Sequence, residues 1–175
     1  FPKADWMSRN LVIKSLPTTM KHTIGLEGDV LNIEVPASNI KYSEKKRMRI
    51  YVPNSVTVFK VNANVPLSVK DIEASVEVEV GDTPLSVKDI EGDQVSVVAG
   101  NGPITVMDLE IGKFTVNTKN GPITVKDIHA DQGEIKIGDG PMSVKDCEIG
   151  VLVLGAGNGP QTVKNMDGDN HTYNL

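Results

Sequence analysis

Five aspartates recur at a nearly constant spacing between residues 71 and 146, and their type and spacing could support chemistry. They are Asp71, Asp89, Asp108, Asp127 and Asp146, and Asn165 takes the sixth position. Stacked carboxylates could form a calcium ladder, because calcium prefers about six to eight oxygen ligands. We favour Asx turns, in which each carboxylate accepts backbone N–H groups, because the glycine-rich repeat of calcium-binding solenoids is absent here.

A lysine precedes most of these aspartates, and a hydroxyl residue lies two positions before it. The lysines are Lys70, Lys88, Lys126, Lys145 and Lys164. The hydroxyl residues are Ser68, Ser86, Thr105, Thr124, Ser143 and Thr162. Regularly spaced cations and hydroxyls could bind a repetitive anionic polymer, such as a wall teichoic acid or an acidic polysaccharide. The interpretation we favour is a solvated face that prevents aggregation, with lysines close to the aspartates of neighbouring repeats.

A basic cluster, consisting of Lys45, Lys46, Arg47 and Arg49, is the most cationic segment of the sequence. Such a cluster could contact lipid head groups or another acidic surface. Alternation of polar and apolar residues here predicts a strand with the arginines on its outer face. A solvated strand face is therefore the interpretation we favour.

The sequence contains no motif of an established catalytic site. Arginine is absent from residues 66–175, and the histidines His22, His129 and His171 are widely separated. Cys147 replaces isoleucine at a position predicted to point inward, which indicates a buried small side chain and not a reactive thiolate. No nucleophile–base set, phosphate-binding loop or zinc-ligand spacing is present. We predict a non-enzymatic protein without a cofactor or a metal site.

The aspartates, the lysines that precede them, the hydroxyl residues and Cys147 all belong to one repeat. Prolines at positions 66, 84, 103, 122, 141 and 160 each open a similar phrase, such as PLSVKDIE, PITVKDIH or PMSVKDCE. The first interval is 18 residues and the others are 19 residues. A repeat of this length cannot bury its own apolar face, so successive copies must stack with like residues above like.

The elements of each copy follow from its corners and its alternation. Five prolines follow a short turn of Asn, Asp, Gly or Thr, where Gly and Asn tolerate positive φ and Pro fixes φ without an N–H. Two apolar stretches with period 2 lie between corners. We predict an all-β fold, a single-stranded β-helix (solenoid) with coils of about 19 residues and two short strands per coil. The 18-residue coil loses its residue in the arc at 73–75, which aligns with 91–94.

Composition and charge fit one domain. The chain of 175 residues is 39% hydrophobic, and its apolar stretches are too short for a transmembrane helix.

The two parts of the chain differ in charge. Residues 1–65 carry ten Lys or Arg against five Asp or Glu, whereas the rest carries eight against eighteen. An acidic body with 4% aromatic residues disfavours nucleic-acid binding. We predict irregular N-terminal strands and a cap over residues 1–65, and a regular six-coil repeat over 66–175 in the same domain.

The strand RIYVP at 49–53, followed by VPLSVKDI at 65–72, resembles the bacterial adhesin-type domain family called toastrack. The resemblance covers roughly residues 25–175. It implies single-stranded β-helical domains attached to envelope proteins, several of them in systems that respond to cell-wall stress and membrane-active antibiotics. The role of that family is poorly defined, so the resemblance supplies no functional residues.

We therefore predict a non-enzymatic module for binding or scaffolding in the cell envelope, at the bacterial surface or outside the cell. Its expected partner is a cell-wall polymer, an anionic lipid surface or another envelope protein, and not nucleic acid. One alternative is a β-helix enzyme acting on polysaccharides. The other is an intracellular assembly module that self-associates through the solenoid ends, which would give a cytoplasmic location.

Overall fold

The computed structural model describes residues 12–14, 23–35, 49–52 and 55–174, and this part of the chain folds into strands and turns without a helix. The strands are β1 (Val12–Lys14), β2 (Thr23–Glu27), β3 (Val30–Val35), β4 (Arg49–Tyr51), β5 (Val58–Ala63), β6 (Leu67–Glu73), β7 (Ser75–Val80), β8 (Leu85–Ala99), β9 (Ile104–Thr118), β10 (Ile123–Ile137), β11 (Met142–Ala156), β12 (Gln161–Asp167) and β13 (Asn170–Asn174). Nothing in these residues could cross a membrane as a helix.

Successive coils pair as parallel strands, with each residue beside its equivalent in the next coil. Val125 of β10 pairs with Val106 of β9 on one side and with Val144 of β11 on the other. The same 19-residue offset relates β8 to β9. This register confirms the predicted single-stranded β-helix, because only a chain that returns to the same position each turn gives such pairing.

Each coil has two arms joined by a bend at the recurring aspartate. We call the residues from the proline to this aspartate the first arm, and those from the arc after it to the next glycine-rich corner the second arm. The first coil has a separate strand in each arm, β6 and β7, and the last coil has β12 and β13. In the four coils between them, one strand of 15 residues, β8 to β11, runs through both arms. The predicted pair of short strands is therefore continuous there, because pairing resumes directly after the bend.

The short first coil loses its residue where the sequence predicted. Glu73 pairs with Glu91, an offset of 18 residues, whereas Val76 pairs with Val95, an offset of 19 residues. The missing residue lies between these pairs, in the arc between the two arms. Both arms keep their inward faces because the change falls outside the alternating segments.

The core lies between the two arms and is built from columns of identical or similar side chains. Val87, Val106, Val125 and Val144 form a fully buried column in the first arm. Val78, Val97, Val116, Ile135 and Leu154 form another in the second arm. Burying each such side chain contributes about 1.5–3 kcal/mol. A further buried column, which the alternation alone did not predict, lies in the arc at Ile111, Ala130 and Ile149.

One column of the second arm combines a large residue with a glycine. Phe114 is fully buried, and it pairs with Gly133 of the next coil, which pairs in turn with Leu152. A Cβ added at Gly133 would lie 2.9 Å from Leu152 Cδ1. Because Gly133 has no side chain, Phe114 and Leu152 have room beside it. The column is therefore packed as densely as other protein interiors.

The glycines of the Gly-Pro corners serve close packing and not positive φ. Among the described glycines, positive φ occurs at Gly28 and Gly168, so the predicted reason for the corner glycines was wrong. A Cβ added at Gly140 would lie 2.6 Å from the carbonyl oxygen of Asn120 in the preceding coil. Glycine is required there because successive corners bring their backbones into contact.

A ladder of polar side chains follows these corners along the solenoid. The backbone N–H of Asn101 donates to Asp82 Oδ1 at 2.8 Å, and that of Asp139 donates to Asn120 Oδ1 at 2.9 Å. Asn158 N–H repeats the contact with Asp139 Oδ1. These bonds satisfy corner amides that the backbone pairing leaves open.

Part of the N-terminal region continues the second-arm sheet. β3 pairs in parallel with β5, and β5 pairs in parallel with β7. β2 pairs with β3 in the antiparallel direction, which ends the parallel stack on this side. The predicted strand near Arg49 is β4, which pairs with β1 in a separate two-stranded sheet. In the region 1–65, where irregular strands and a cap were predicted, most of residues 1–20 lie outside the described residues.

Candidate functional site

The outer face of the first arm carries the predicted columns in register. Lys70 pairs with Lys88, and Lys126 pairs with Lys145, which pairs with Lys164. Met107 interrupts the column between Lys88 and Lys126. The hydroxyl column runs parallel to it, as in the pair of Ser143 and Thr162. Neighbouring residues of each column are separated by about 4.8 Å, the spacing of paired strands.

Three lysines, Lys70, Lys88 and Lys126, each lie close to two aspartates. Lys70 Nζ is 3.4 Å from Asp71 and 3.7 Å from Asp89, the aspartate of the next coil. Lys88 Nζ is 3.9 Å from Asp89 and 3.2 Å from Asp108. The predicted proximity across coils is confirmed. At such exposed positions water screens the charges, so each pair contributes little to stability.

Lys126 shows the same pattern on the other side of Met107. Its Nζ lies 2.6 Å from Asp127 and 4.0 Å from Asp146 of the next coil. The hydrogen bond from Lys126 to Asp127 raises the pKa of the lysine, and the bond from Lys88 to Asp108 does the same for Lys88. Both ammonium groups therefore remain charged at neutral pH, and carboxylates offset their charge.

The aspartates at the bend have a backbone role that the sequence did not predict. All five have positive φ, as does Asn165, with values from 51° to 57°. Asp and Asn are the residues other than glycine that adopt this left-handed conformation most readily. In the described residues the carboxylates contact lysines or an asparagine amide, and no backbone N–H donates to them. The predicted Asx turn was wrong, because the conformation of the residue itself makes the bend.

The C-terminal end of the lysine column differs from the rest. Asn165 replaces the sixth aspartate, and its Nδ2 donates to Asp146 Oδ1 at 2.6 Å. Among the residues that the structure describes, neither Lys145 nor Lys164 has a carboxylate oxygen within 4.0 Å. Within the described part of the chain, two adjacent cations therefore lie on this end of the face without a close counter-charge.

An open acidic groove of about 600 Å³ follows the bend on the outer surface. Two columns of side chains line it: Asp71, Asp89, Asp108 and Asp127 in one, and Glu73, Glu91, Glu110 and His129 in the other. His129 Nδ1 lies 3.3 Å from Glu148 of the next coil. Within the described ranges, no three acidic, histidine or cysteine side chains come together as a metal site.

Comparison with known families assigns the fold. The family model described as Toastrack DUF4097 matches residues 9–172, which is most of the chain. The chain belongs to the toastrack family. No curated protein and no solved structure matches it significantly. The family is one of unknown function, so the match adds no ligand and no catalytic residue.

The single cysteine of this toastrack domain lies in the core. Cys147 is 2% exposed, as predicted from its place in an inward column. Burial raises the pKa of its thiol, and Sγ lies 3.0 Å from the carbonyl oxygen of Lys145. A neutral thiol that donates to a carbonyl behaves as a small apolar residue and not as a nucleophile.

The basic cluster of the toastrack domain falls largely outside the structure. Lys45, Lys46 and Arg47 lie outside the described residues, and Arg49 begins β4, which pairs with β1. The structure therefore does not bring this cluster into relation with the lysine column, and a contact with lipid head groups stays a prediction.

Proposed function

We propose that this toastrack domain is a non-enzymatic binding module of the bacterial cell envelope, and that it holds an anionic wall polymer along the first-arm face. The observation that supports this proposal is the pair of lysine and hydroxyl columns in register over successive coils. A rigid array with a repeat of about 4.8 Å presents the same groups many times to a polymer that also repeats. Once one anionic group of the polymer is bound, its neighbours are held close to the array. Their effective concentration is therefore high, and many weak contacts together give a useful affinity.

The charge distribution supports a selective and not a general anion binder. Residues 66–175 carry eighteen acidic against eight basic residues, so the body repels nucleic acid and bare anionic surfaces. Within residues 66–174, aligned positive charge is found only in the lysine column, and aspartates neutralise Lys70, Lys88 and Lys126. A polymer with spaced anionic groups and neutral segments between them suits such a face better than a continuous polyanion.

Two structural features support a non-enzymatic role. Burial holds the one thiol, Cys147, neutral and away from solvent. The lysines with a raised pKa, Lys88 and Lys126, are exposed and bound to aspartates, so they suit charge pairing and not proton transfer at neutral pH. Turnover of a uronic-acid polymer, lost on an Asp108→Asn substitution, would favour the enzyme alternative.

Co-sedimentation with bacterial walls tests the proposal. We expect the purified domain to sediment with intact walls and to remain in solution when the anionic polymer has been stripped chemically from the same walls. Vesicles containing an anionic phospholipid serve as the parallel arm. Binding to vesicles but not to walls would indicate a membrane surface as the partner, and binding to neither would contradict the proposal.

A second candidate function is assembly of copies through the C-terminal end of the solenoid. In the described part of the chain, β12 and β13 pair with β11 and have no strand on their other side. Tyr173, Val163 and Met166 line an open recess of about 270 Å³ there. An uncovered strand edge is a template for pairing, so a second copy would join there.

Light scattering over a range of concentrations tests this assembly. Dimers should form as concentration rises and should be abolished by Tyr173→Pro, which removes one backbone donor from β13. A Tyr173→Phe variant keeps the backbone donor and serves as the control. A constant monomer mass up to high concentration would exclude this candidate.

A further inference from the structure

The ion pairs of the lysine column follow one rule, and the rule fails at one end. Each of Lys70, Lys88 and Lys126 contacts the aspartate that follows it and the aspartate one coil later. A lysine is therefore neutralised fully only when the next coil also carries an aspartate. Lys145 lies one coil before Asn165, so its partner in the next coil is an amide and not a carboxylate.

The aspartate of its own coil is occupied by other groups. Asp146 Oδ1 accepts the amide N–H of Asn165 at 2.6 Å, and Asp146 Oδ2 lies 4.0 Å from Lys126 Nζ. Lys145 is thus left without a carboxylate oxygen within 4.0 Å in the described residues, and so is Lys164. Because these lysines are directly paired in neighbouring strands, their like charges also repel each other. An anion bound between Lys145 and Lys164 would supply the missing counter-charge and reduce the repulsion between them.

The surroundings of these lysines specify the kind of anion. Ser143 and Thr162 pair with each other two positions before the lysines, on the same outward face of the first arm. Two lysines on paired strands about 4.8 Å apart can each direct an ammonium group to a different oxygen of one phosphate, with charge-assisted bonds of about 2.8 Å. The hydroxyl groups can donate to a further oxygen or to the polymer chain beside it.

We propose that Lys145 and Lys164, with Ser143 and Thr162, form a subsite for one phosphodiester group of an anionic polymer. This inference rests on the proposed function and locates its strongest contact at the C-terminal end of the face. Lys70, Lys88 and Lys126, which aspartates neutralise, make weaker contacts with the polymer. Asn165 creates the subsite, because an aspartate at that position would continue the ion-pair rule and neutralise Lys145.

Calorimetric titration of the full chain with a glycerol-phosphate hexamer tests this subsite. We expect Lys145→Gln/Lys164→Gln to weaken binding about tenfold or more, the effect of losing charge-assisted hydrogen bonds. The matched control is Lys113→Gln/Lys119→Gln, which removes the same charge from two exposed lysines outside the first-arm face, and we expect a change of about twofold or less. All four positions are at the surface, so both variants should fold.

Asn165→Asp provides the complementary measurement. This substitution adds a carboxylate and retains the bend, because aspartate also adopts positive φ, as Asp146 does with φ of 53°. It should weaken hexamer binding about tenfold while the thermal unfolding midpoint changes little. Equal losses in the two double variants, undiminished binding in Asn165→Asp, or no binding of the hexamer by the unchanged chain would each overturn the subsite.

Wall co-sedimentation separates failure of the subsite from failure of the proposed function. Retention of the unchanged chain on walls, with the same retention of Lys145→Gln/Lys164→Gln, would overturn the subsite and leave the wall-binding proposal standing. Loss of retention in that variant only, with retention of Lys113→Gln/Lys119→Gln, would support both.

Discussion

The aspartate at each bend shows how one residue type can serve two purposes in this protein. Its backbone adopts a positive φ, and its carboxylate reaches the lysines of the same face. The left-handed conformation costs most residues about 1–3 kcal/mol, whereas an exposed ion pair contributes about 0.2–1 kcal/mol. The backbone requirement is therefore the larger effect, and Asn165 satisfies it without a charge.

We predict that Asp127→Asn changes the free energy of unfolding by less than about 1 kcal/mol, because only exposed ion pairs are lost. Asp127→Val should lower it by about 1–3 kcal/mol, because a β-branched residue resists positive φ. Urea unfolding of both variants measures the difference. An asparagine variant as unstable as the valine variant would show that the carboxylate charge matters more than the bend.

The corner glycines give a second prediction for single residues. Gly121→Ala should lower the free energy of unfolding by about 1–3 kcal/mol, because its Cβ would press on the backbone of the preceding coil at Asn101 and Gly102. Gly155→Ala is the matched control, since its Cβ would be 3.7 Å from Lys136 Cγ, an ordinary contact. The control should be neutral or stabilising by up to about 1 kcal/mol. Equal destabilisation of both variants, measured by urea unfolding, would contradict this account.

At the scale of the elements, the arc and the arms differ in how they tolerate a change of length. The first coil is one residue shorter than the others, and the structure places the difference in the arc between Glu73 and Val76. The arms alternate with period 2, so a shift of one residue within an arm would exchange its buried and exposed faces.

We therefore predict opposite outcomes for two insertions of one aspartate. Inserted between Ala74 and Ser75, it converts the first coil to the common length and should lower the free energy of unfolding by at most about 1 kcal/mol. Inserted between Glu77 and Val78, it turns Val78 and Val80 outward, and losing about 1.5–3 kcal/mol for each should largely prevent folding. Circular dichroism and urea unfolding distinguish the two. Similar stability of both variants would mean that the register is not fixed by burial.

At the scale of the whole molecule, stability depends on neighbouring coils. β9 and β10 each pair with a coil on both sides, whereas β12 and β13 pair on one side in the described part of the chain. Solenoid stability is approximately a sum of coil and interface contributions, so the central coils have more support than the last one.

Hydrogen exchange should follow this difference. We expect the amides of β9 and β10 to exchange at least about tenfold more slowly than those of β12 and β13, because the last coil can open without disturbing the others. Mass spectrometry of peptides from each coil measures the rates. Uniform exchange over all coils would indicate a single cooperative unit, or a last coil covered by a second copy.

The sequence by itself determined the path of the chain. Prolines at a constant interval and valines that alternate between them were sufficient to predict the coils, the buried columns of Val87 and Val97 and the short arc of the first coil. A period is a property of the sequence, and stacking of equal coils follows because no coil can bury its own apolar face. The alignment of Lys145 with Lys164 follows from the same period.

Only the tertiary structure decided the conformation at the bend, the contacts of the corner glycines and the charge balance of the lysine column. Positive φ at Asp127 and close backbone contact at Gly140 depend on how neighbouring coils approach each other, which residue types alone leave open. The lack of a close carboxylate beside Lys145 depends on which atoms Asp146 already binds. A repeat fixes which residues become neighbours, whereas hydrogen-bond geometry fixes which of their atoms interact.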